Sequence, residues 1–361
     1  MRSRIDFARR WRALGRAVEA QGADAFLSVR PHNIRYLNYS CAPHSSLLTH
    51  VLVLADGSPM GLATVLEMNR LQLSALARED ILLWGRIPGI DADVADSRSG
   101  LRALIKRHKV RTLLADAKVA APGARLRVCD LVEPLRERKD DVEVRLMRKA
   151  AAAGDRAGVL LPQLLHPGVT ERDVSRGVDA AIRSGDVVEN SFPTIVASGP
   201  HSAHPHHDAT NRVLRKGDLV ITDLGACYEG YCSDMTRTWI VGEGRGTAAD
   251  ILDAVHQAQK AQLRQVRANR SLRAIDALGR EVLAEFGMDR YFCHSTGHGL
   301  GLEVHESPRV SPLAEGKTRD RMVITIEPGV YIPKVGGARV EDDVLVRRDR
   351  GLVFNRSPKP C

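Results

Sequence analysis

Apolar positions recur at helical spacing near the start of the chain, where Ile5, Trp11, Leu14, Val18 and Ala20 lie among many charges between residues 5 and 21. That period predicts an amphipathic surface helix. Three short apolar runs follow, ADAFLSV (23–29), THVLVLADG (49–57) and MGLATVL (60–66), each broken by turn residues, so they read as strands. A basic helix near Leu101 to His108, a strand over VRTLLAD (110–116) and a helix near Leu126 to Cys129 continue the alternation. Together they predict a small α/β domain. From Pro134 to Asp140 the chain turns polar and charged and reads as a linker, which sets the expected domains at 1–137 and 138–361.

The second half follows a different pattern. A long helical period runs through Val144, Met147, Ala151, Ala157, Leu160 and Leu164, and Thr170 with Asp173 opens the next helix as a capping box. The apolar runs PTIVASG (193–199) and DLVITDLG (218–225) are strands, the second paired as a hairpin with GYCSDMTRTWIV (230–241). Two helices, Ala248 to Ala268 and Ser271 to Phe286, stop near Asn269 and Gly287, and strands at MVITIEPG (322–329) and GARVEDDVLVR (337–347) close the chain. Strands, then helices, then more strands predict an antiparallel sheet covered by helices, an α+β arrangement.

Composition changes this picture little. With 361 residues, 43% apolar, 27% charged and 4% aromatic, the chain reads as an ordinary globular protein of two domains. Its net charge of +9 is held in Arg-rich stretches that lack interleaved aromatics, so it is read as solvated surface, with no nucleic-acid partner expected. No apolar run approaches membrane-spanning length, and the charged N-terminus has no secretory signature. The six cysteines form no C-x-x-C pair, which suits free thiols in a reducing compartment, and a cytoplasmic location is expected.

Five residues change the picture more: Asp223, Asp234, His298, Glu327 and Glu341 have the chemistry and chain order of one dinuclear metal site. Four carboxylates and an imidazole are costly to gather unless divalent cations offset their repulsion. Singly, each has a plainer reading. Asp223 beside Gly225 could begin a turn, Asp234 could face solvent on a strand, and Glu327 could simply end one. His298 could be a loop histidine between Gly297 and Gly299, and the Glu341-Asp342-Asp343 run a solvated edge strand. The segment HSAHPHH carries His201, His204, His206 and His207, which either bind metal themselves or send one imidazole into the site and leave the rest in solvent.

Taken together, SFPTIVASGPHSAHPHH, DLGACYEGYCSDMTRT, STGHGLGLEVHE, ITIEPGVY and GGARVEDDVLV resemble, in order and spacing, the pita-bread metallopeptidases: methionine aminopeptidases, aminopeptidase P, prolidases and creatinases. VRPHNIRYLNYS is similar to the creatinase-type N-terminal domain that prolidases carry. The resemblance implies a small creatinase-type α/β domain before a pita-bread catalytic domain, and two divalent ions per chain, manganese foremost with cobalt or zinc as alternatives. It implies that Asp223 ligates one ion, that Asp234 and Glu341 bridge, that His298 and Glu327 complete the shells, and that Glu327 is also general base. His206 would stabilise the tetrahedral intermediate, His305 would donate to the scissile carbonyl, and Arg339 would support the ligands. Phe192 and His294 would line a proline pocket, and His204 departs from the apolar residue usual before Pro205. The activity implied is hydrolysis of Xaa-Pro dipeptides by a metal-activated hydroxide, in a homodimer, on small peptides with proline second. Aminopeptidase P, a small-metabolite hydrolase or lyase, and a non-catalytic binding protein on the same scaffold are the competing readings.

Overall fold

The computed structural model describes residues 5–38, 47–187 and 189–359. Cys41 and Cys361, two of the expected free thiols, lie outside them, while Cys129, Cys227, Cys232 and Cys293 are free. The chain divides into two compact units, Met1–Arg136 and Glu137–Cys361.

In the first unit α1 (Phe7–Ala20) starts at Asp6, whose side chain accepts from Arg9 N at 2.9 Å, and buries Arg10, Leu14, Gly15 and Val18. Gly15 permits a close approach: a Cβ there would lie 2.6 Å from the Gly57 nitrogen. The remaining elements are β1 (Ala25–Ser28), α2 (Pro31–Leu37), β2 (His50–Leu54), β3 (Pro59–Thr64), β4 (Ile81–Trp84), α3 (Ser97–Arg107), β5 (Thr112–Ala115), β6 (Arg125–Val128) and α4 (Glu133–Arg136). Six strands form one mixed sheet in the order β4-β3-β2-β1-β5-β6. The expected helix near Leu126 to Cys129 is instead the edge strand β6, parallel to β5. Only a few residues separate the turn at Gly123 from Asp130, too few for a helix to repay its nucleation, whereas Arg-Leu-Arg-Val alternates as a strand requires. The strand β4 and the helix α2 had no counterpart in the hydrophobic pattern.

The second unit opens where a solvated linker was expected, yet Lys139 is buried there, 3.1 Å from Glu306. A buried ion pair of this kind ties the segment into the unit's interior. α5 (Asp141–Leu164) begins with a full Asp140–Glu143 capping box, and α6 (Glu171–Ile182) with the expected Thr170–Asp173 box. There follow β7 (Glu189–Asn190), β8 (Ile195–Ser198), β9 (Leu219–Leu224), β10 (Ala226–Tyr228), β11 (Tyr231–Cys232), β12 (Met235–Ile240), α7 (Thr247–Leu263) and α8 (Leu272–Glu285). The chain then forms β13 (Gly297–Gly299), β14 (Glu306–Val310), β15 (Val323–Ile326), β16 (Gly329–Ile332), β17 (Gly336–Arg339), β18 (Asp342–Val346) and β19 (Gly351–Val353). Antiparallel pairing of β8, β9 and β12, and of β13, β14, β15, β18 and β19, supplies the two main sheets. Small buried residues on α5 (Ala150, Ala153, Ala157) pack with Val220, Leu224 and Met235 beneath the first sheet, and α7 packs Ile251, Leu252 and Val255 against Val330, Ala338 and Val340. Burying each large aliphatic side chain contributes about 1.5–3 kcal/mol, so the strands bearing the acids are held from behind.

Candidate metal centre

β9 is buried along its whole length, and its run of Leu, Val, Ile and Thr favours a strand enclosed on both faces. Asp223 lies near its end, opposite Thr236 of β12 and Ile195 of β8. The return from β9 to β12 goes through the small β10–β11 ribbon, which turns at Glu229 (φ 47°) and Gly230 (φ 81°). This brings Asp234, just ahead of β12, back to the level of Asp223. Glu341 sits in the break between β17 and β18, fixed to β12 by its backbone N–H donating to Thr236 O (3.1 Å) and by the Thr236 hydroxyl donating to its Oε2 (2.8 Å).

His298 lies in β13, held by its backbone N–H on the Thr325 hydroxyl at 3.1 Å. With Nδ1 3.0 Å from Gly299 O, its Nε2 faces the acids: 3.3 Å to Glu327 Oε1 and 3.7 Å to Asp234 Oδ2. Glu327 follows β15, where Pro328 ends the ladder, and its N–H donates to Thr296 O at 2.7 Å. Asp234, His298 and Glu341 each offer a ligand atom, all within 4.8 Å of one another.

This centre fits cations by its own chemistry. Oδ1 of Asp223 and Oδ1 of Asp234 are buried with no hydrogen-bond partner, a costly state for a carboxylate left to itself. Burial, then the neighbouring charges of Glu341 and Asp223, push the Asp234 carboxyl well above the usual range. Glu341 is pushed the same way by burial, then by Glu327 and Asp223. Burial opposes ionisation of Glu327 too, but the hydrogen bond and charge of His298 prevail and hold its carboxyl low. Divalent ions among these oxygens would relieve the repulsion and keep every acid ionised.

Arg339 braces the cluster. Its Nη2 donates to Asp223 Oδ2 at 2.7 Å, its Nη1 to Tyr331 OH at 2.6 Å and to Pro205 O at 3.3 Å, and its Nε to the Thr236 hydroxyl at 3.1 Å. The Tyr331 hydroxyl is 2.8 Å from His294 Nε2, and burial pushes its pKa up. Tyr331, Thr236 and Thr325 were not singled out in the sequence, since hydroxyls on a strand are too common to be read as supports without a fold. The plainer alternative of a solvated edge for the acidic run does not hold: Glu341, Asp342 and Asp343 are all buried, the last two in a strand, β18, that pairs on both sides. Asp342 is bound to buried Arg237 (3.0 Å) and to Lys359, and Asp343 accepts from Asp234 N at 3.2 Å.

His305 reaches the centre, with its ring 4.3 Å from that of His298, edge to face. Although part of its surface meets solvent, desolvation first and His298 second lower its pKa. His206 is exposed beside Pro205, whose carbonyl Arg339 holds. His294 is half-buried, 5.1 Å edge-on to Phe292 and 4.0 Å from Glu327 Oε2. Phe192 lies over Gly225 at the end of β9, where a Cβ would meet its Cε1 at 2.8 Å. The reading that one histidine of HSAHPHH enters the site while the rest meet solvent is corrected at two positions. His201 and His207 turn inward onto Glu171, leaving His204 and His206 exposed.

Residues 145–348, more than half of the chain, match the model of metallopeptidase family M24. The chain is 36% identical over 369 residues to a probable dipeptidase PepE of Mycobacterium tuberculosis, covering 98% of this chain and 95% of that one. It is 40% identical over 223 residues to an Xaa-Pro dipeptidase of Pyrococcus horikoshii, 62% of this chain and 64% of the relative. Among solved structures, an Xaa-Pro dipeptidase from Bacillus anthracis superposes with a TM-score of 0.88 at 31% identity, covering 98% of this chain and 99% of that one. The chain belongs to metallopeptidase family M24. It is a metal-dependent hydrolase of α+β class, a small N-terminal domain followed by a pita-bread catalytic domain, and its family implies divalent metal ions.

Proposed function

We propose that the protein hydrolyses Xaa-Pro dipeptides at a dinuclear centre held by Asp223, Asp234, His298, Glu327 and Glu341. The observation that carries this reading is the gathering of three buried carboxylates, the partly buried Glu327 and His298, with two carboxylate oxygens left unpartnered. Dipeptide and Xaa-Pro chemistry is supported by the names its relatives bear. Two divalent ions there, manganese foremost given the hard oxygen donors, would polarise the scissile carbonyl and acidify the attacking water.

The chain's own residues do the rest. Asp234 and Glu341 would bridge, Asp223 would hold one ion, His298 and Glu327 would complete the shells, and Glu327, whose carboxyl His298 keeps ionised, would also take the proton of the attacking water. His305 donates to the scissile carbonyl. His206 supports the oxyanion that forms there. Arg339 fixes Asp223, and through Tyr331 it aligns His294, which with Phe192 borders a pocket for the proline ring. Proline has no N–H and a fixed ring, so shape alone can select it.

The domains, 1–137 and 138–361, a homodimeric assembly and a cytoplasmic location belong to the same reading. Light scattering on the purified chain tests the dimer, and fractionation of source cells tests the location. Among the described residues no helix is long and apolar enough to cross a membrane. The decisive experiment is turnover of Xaa-Pro dipeptides, longer Xaa-Pro peptides and non-proline dipeptides with added manganese, cobalt or zinc. Preference for Xaa-Pro dipeptides supports the proposal. Cleavage restricted to longer peptides would make the enzyme an aminopeptidase P, and no peptide turnover would overturn the reading.

A further inference from the structure

The segment HSAHPHH holds four histidines in seven residues, and the proposed reaction uses only His206. Two of the others converge on one acid. Glu171, the first residue of α6, is fully buried. Its Oε1 accepts from Ser198 N (2.9 Å) and the Ser198 hydroxyl (2.7 Å), and lies 3.0 Å from His201 Nδ1. Its Oε2 accepts from Thr210 N (3.0 Å) and the Thr210 hydroxyl (2.7 Å), and lies 3.0 Å from His207 Nε2. One imidazole nitrogen thus lies beside each carboxylate oxygen, and the Ser198 and Thr210 hydroxyls are rotatable donors whose turning frees a lone pair on either oxygen for a cation held with the two imidazoles.

Among the described residues, two groups place three ligand atoms within 4.8 Å of one another: Asp234, His298 and Glu341, and Glu171, His201 and His207. The first belongs to the proposed catalytic centre. We propose that the second is a separate, mononuclear site for a borderline divalent ion of the zinc class. Two imidazoles and one carboxylate form the ligand set that zinc prefers over manganese or calcium, with water completing the tetrahedron. Ser198 and Thr210 are the outer hydrogen bonds that orient such a carboxylate. The ion has a way in, because the His201 side chain is 35% exposed and that of His207 13%.

The site would fasten both ends of the segment from Ser198 to Thr210 to α6. Between those ends, Gly337 N donates to the Ser202 hydroxyl at 2.8 Å and Arg339 holds Pro205 O. Pro205 and His206 are thereby suspended between the second metal and the catalytic strands. The effect on turnover rests on the role proposed for His206. The binding of the ion does not.

The test separates the two sites by their ligands. The full-length double variant Asp234→Asn/Glu341→Gln is equilibrated with zinc, freed of excess by gel filtration and analysed for metal. It should retain about one zinc ion per chain, and adding His201→Asn and His207→Asn should remove it. The histidine changes alone should leave manganese at the catalytic centre unchanged. Zinc absent from Asp234→Asn/Glu341→Gln, or retained after the histidine changes, overturns the proposal. If the quadruple variant does not fold, cobalt bound to Asp234→Asn/Glu341→Gln decides: visible bands of a low-symmetry four- or five-coordinate ion support the site, and a spectrum of aqueous cobalt overturns it. A failure of the catalytic reading looks different, since Asp234→Asn/Glu341→Gln would then keep the metal content of the wild type.

Discussion

Glu171 and Asp234 are both buried acids of the same unit, but one is ringed by donors and the other by acids. Burial raises both. For Glu171 the hydrogen bonds of Ser198, Thr210 and His207 more than reverse that and bring its pKa down to about 2. For Asp234 the neighbouring charges of Glu341, Asp223 and Glu327 add to burial, and its carboxyl is driven well up. Burial therefore does not decide the state of an acid; the sign of what surrounds it does. Asp234 and Glu341 need cations to be charged, whereas Glu171 is charged without one. That difference also separates the ions they suit: four oxygen donors with one imidazole select hard ions, and two imidazoles with one carboxylate select zinc.

The sharpest way to break the comparison is to remove a bridging acid. Asp234→Ala or Glu341→Ala should lose metal and lower kcat/KM roughly 10³-fold or more. The fold should survive, because the remaining carboxylates repel one another less once the ions are gone. Metal analysis, turnover and far-ultraviolet circular dichroism on the same preparations check this, and normal turnover with full metal in either variant would refute the bridging role.

A smaller effect divides the histidines. His206→Ala and His305→Ala should each lower kcat roughly 10²-fold, the range for loss of an oxyanion donor or general acid. Catalytic-centre metal should stay near the wild-type level in both. His298→Ala should lose metal and activity together. Metal content and kcat measured on all three test the division, and loss of catalytic-centre manganese in His206→Ala equal to that in His298→Ala would place His206 among the ligands.

Tyr331→Phe is expected to cost less still. It removes the hydroxyl joining Arg339 to His294, and kcat/KM on an Xaa-Pro dipeptide should fall about tenfold, the low end of the range for outer supports of a metal site, because Arg339 stands between it and Asp223. Unchanged kinetics across a panel of dipeptides would show that Arg339 and His294 hold their places without it.

The least effect on turnover at neutral pH is expected for Glu171→Gln, whose signature is stability in acid. The folded pKa lies below the ordinary glutamate value of 4.5, so the ionised Glu171 stabilises the fold fully above about pH 4.5, and that contribution is lost as pH falls toward about 2. Urea unfolding of the chelator-treated protein from pH 7 to pH 3 should show the advantage of wild type over Glu171→Gln narrowing below pH 4.5. A gap independent of pH would mean that the hydrogen bonds, and not the charge, stabilise this site.

Much of this was legible from local pattern. Capping boxes at Thr170–Asp173 and the stop at Gly287 depend on neighbours three or four residues away, and the structure has both. The ordered acids and His298 could be picked out because their types, turn-forming neighbours and spacing are properties of the sequence. The strand over Arg125–Val128 was missed because four alternating residues carry too weak a period to outweigh the helical reading beside them, and only pairing with Thr112–Ala115 decides it.

The chain by itself determined which residues could bind metal, since ligand chemistry belongs to the side chain and its order to the gene. Tertiary structure alone decided their surroundings. Whether Glu341, Asp342 and Asp343 face water or the interior depends on β15 and β19 flanking β18, strands that come from either side of it in the sequence. Whether His201 and His207 face solvent or an acid depends on Glu171, about thirty residues earlier, being brought beneath them. Charge state follows from such long-range neighbours because desolvation and Coulomb interaction act through space, and distance in space is what folding, not spacing along the chain, sets.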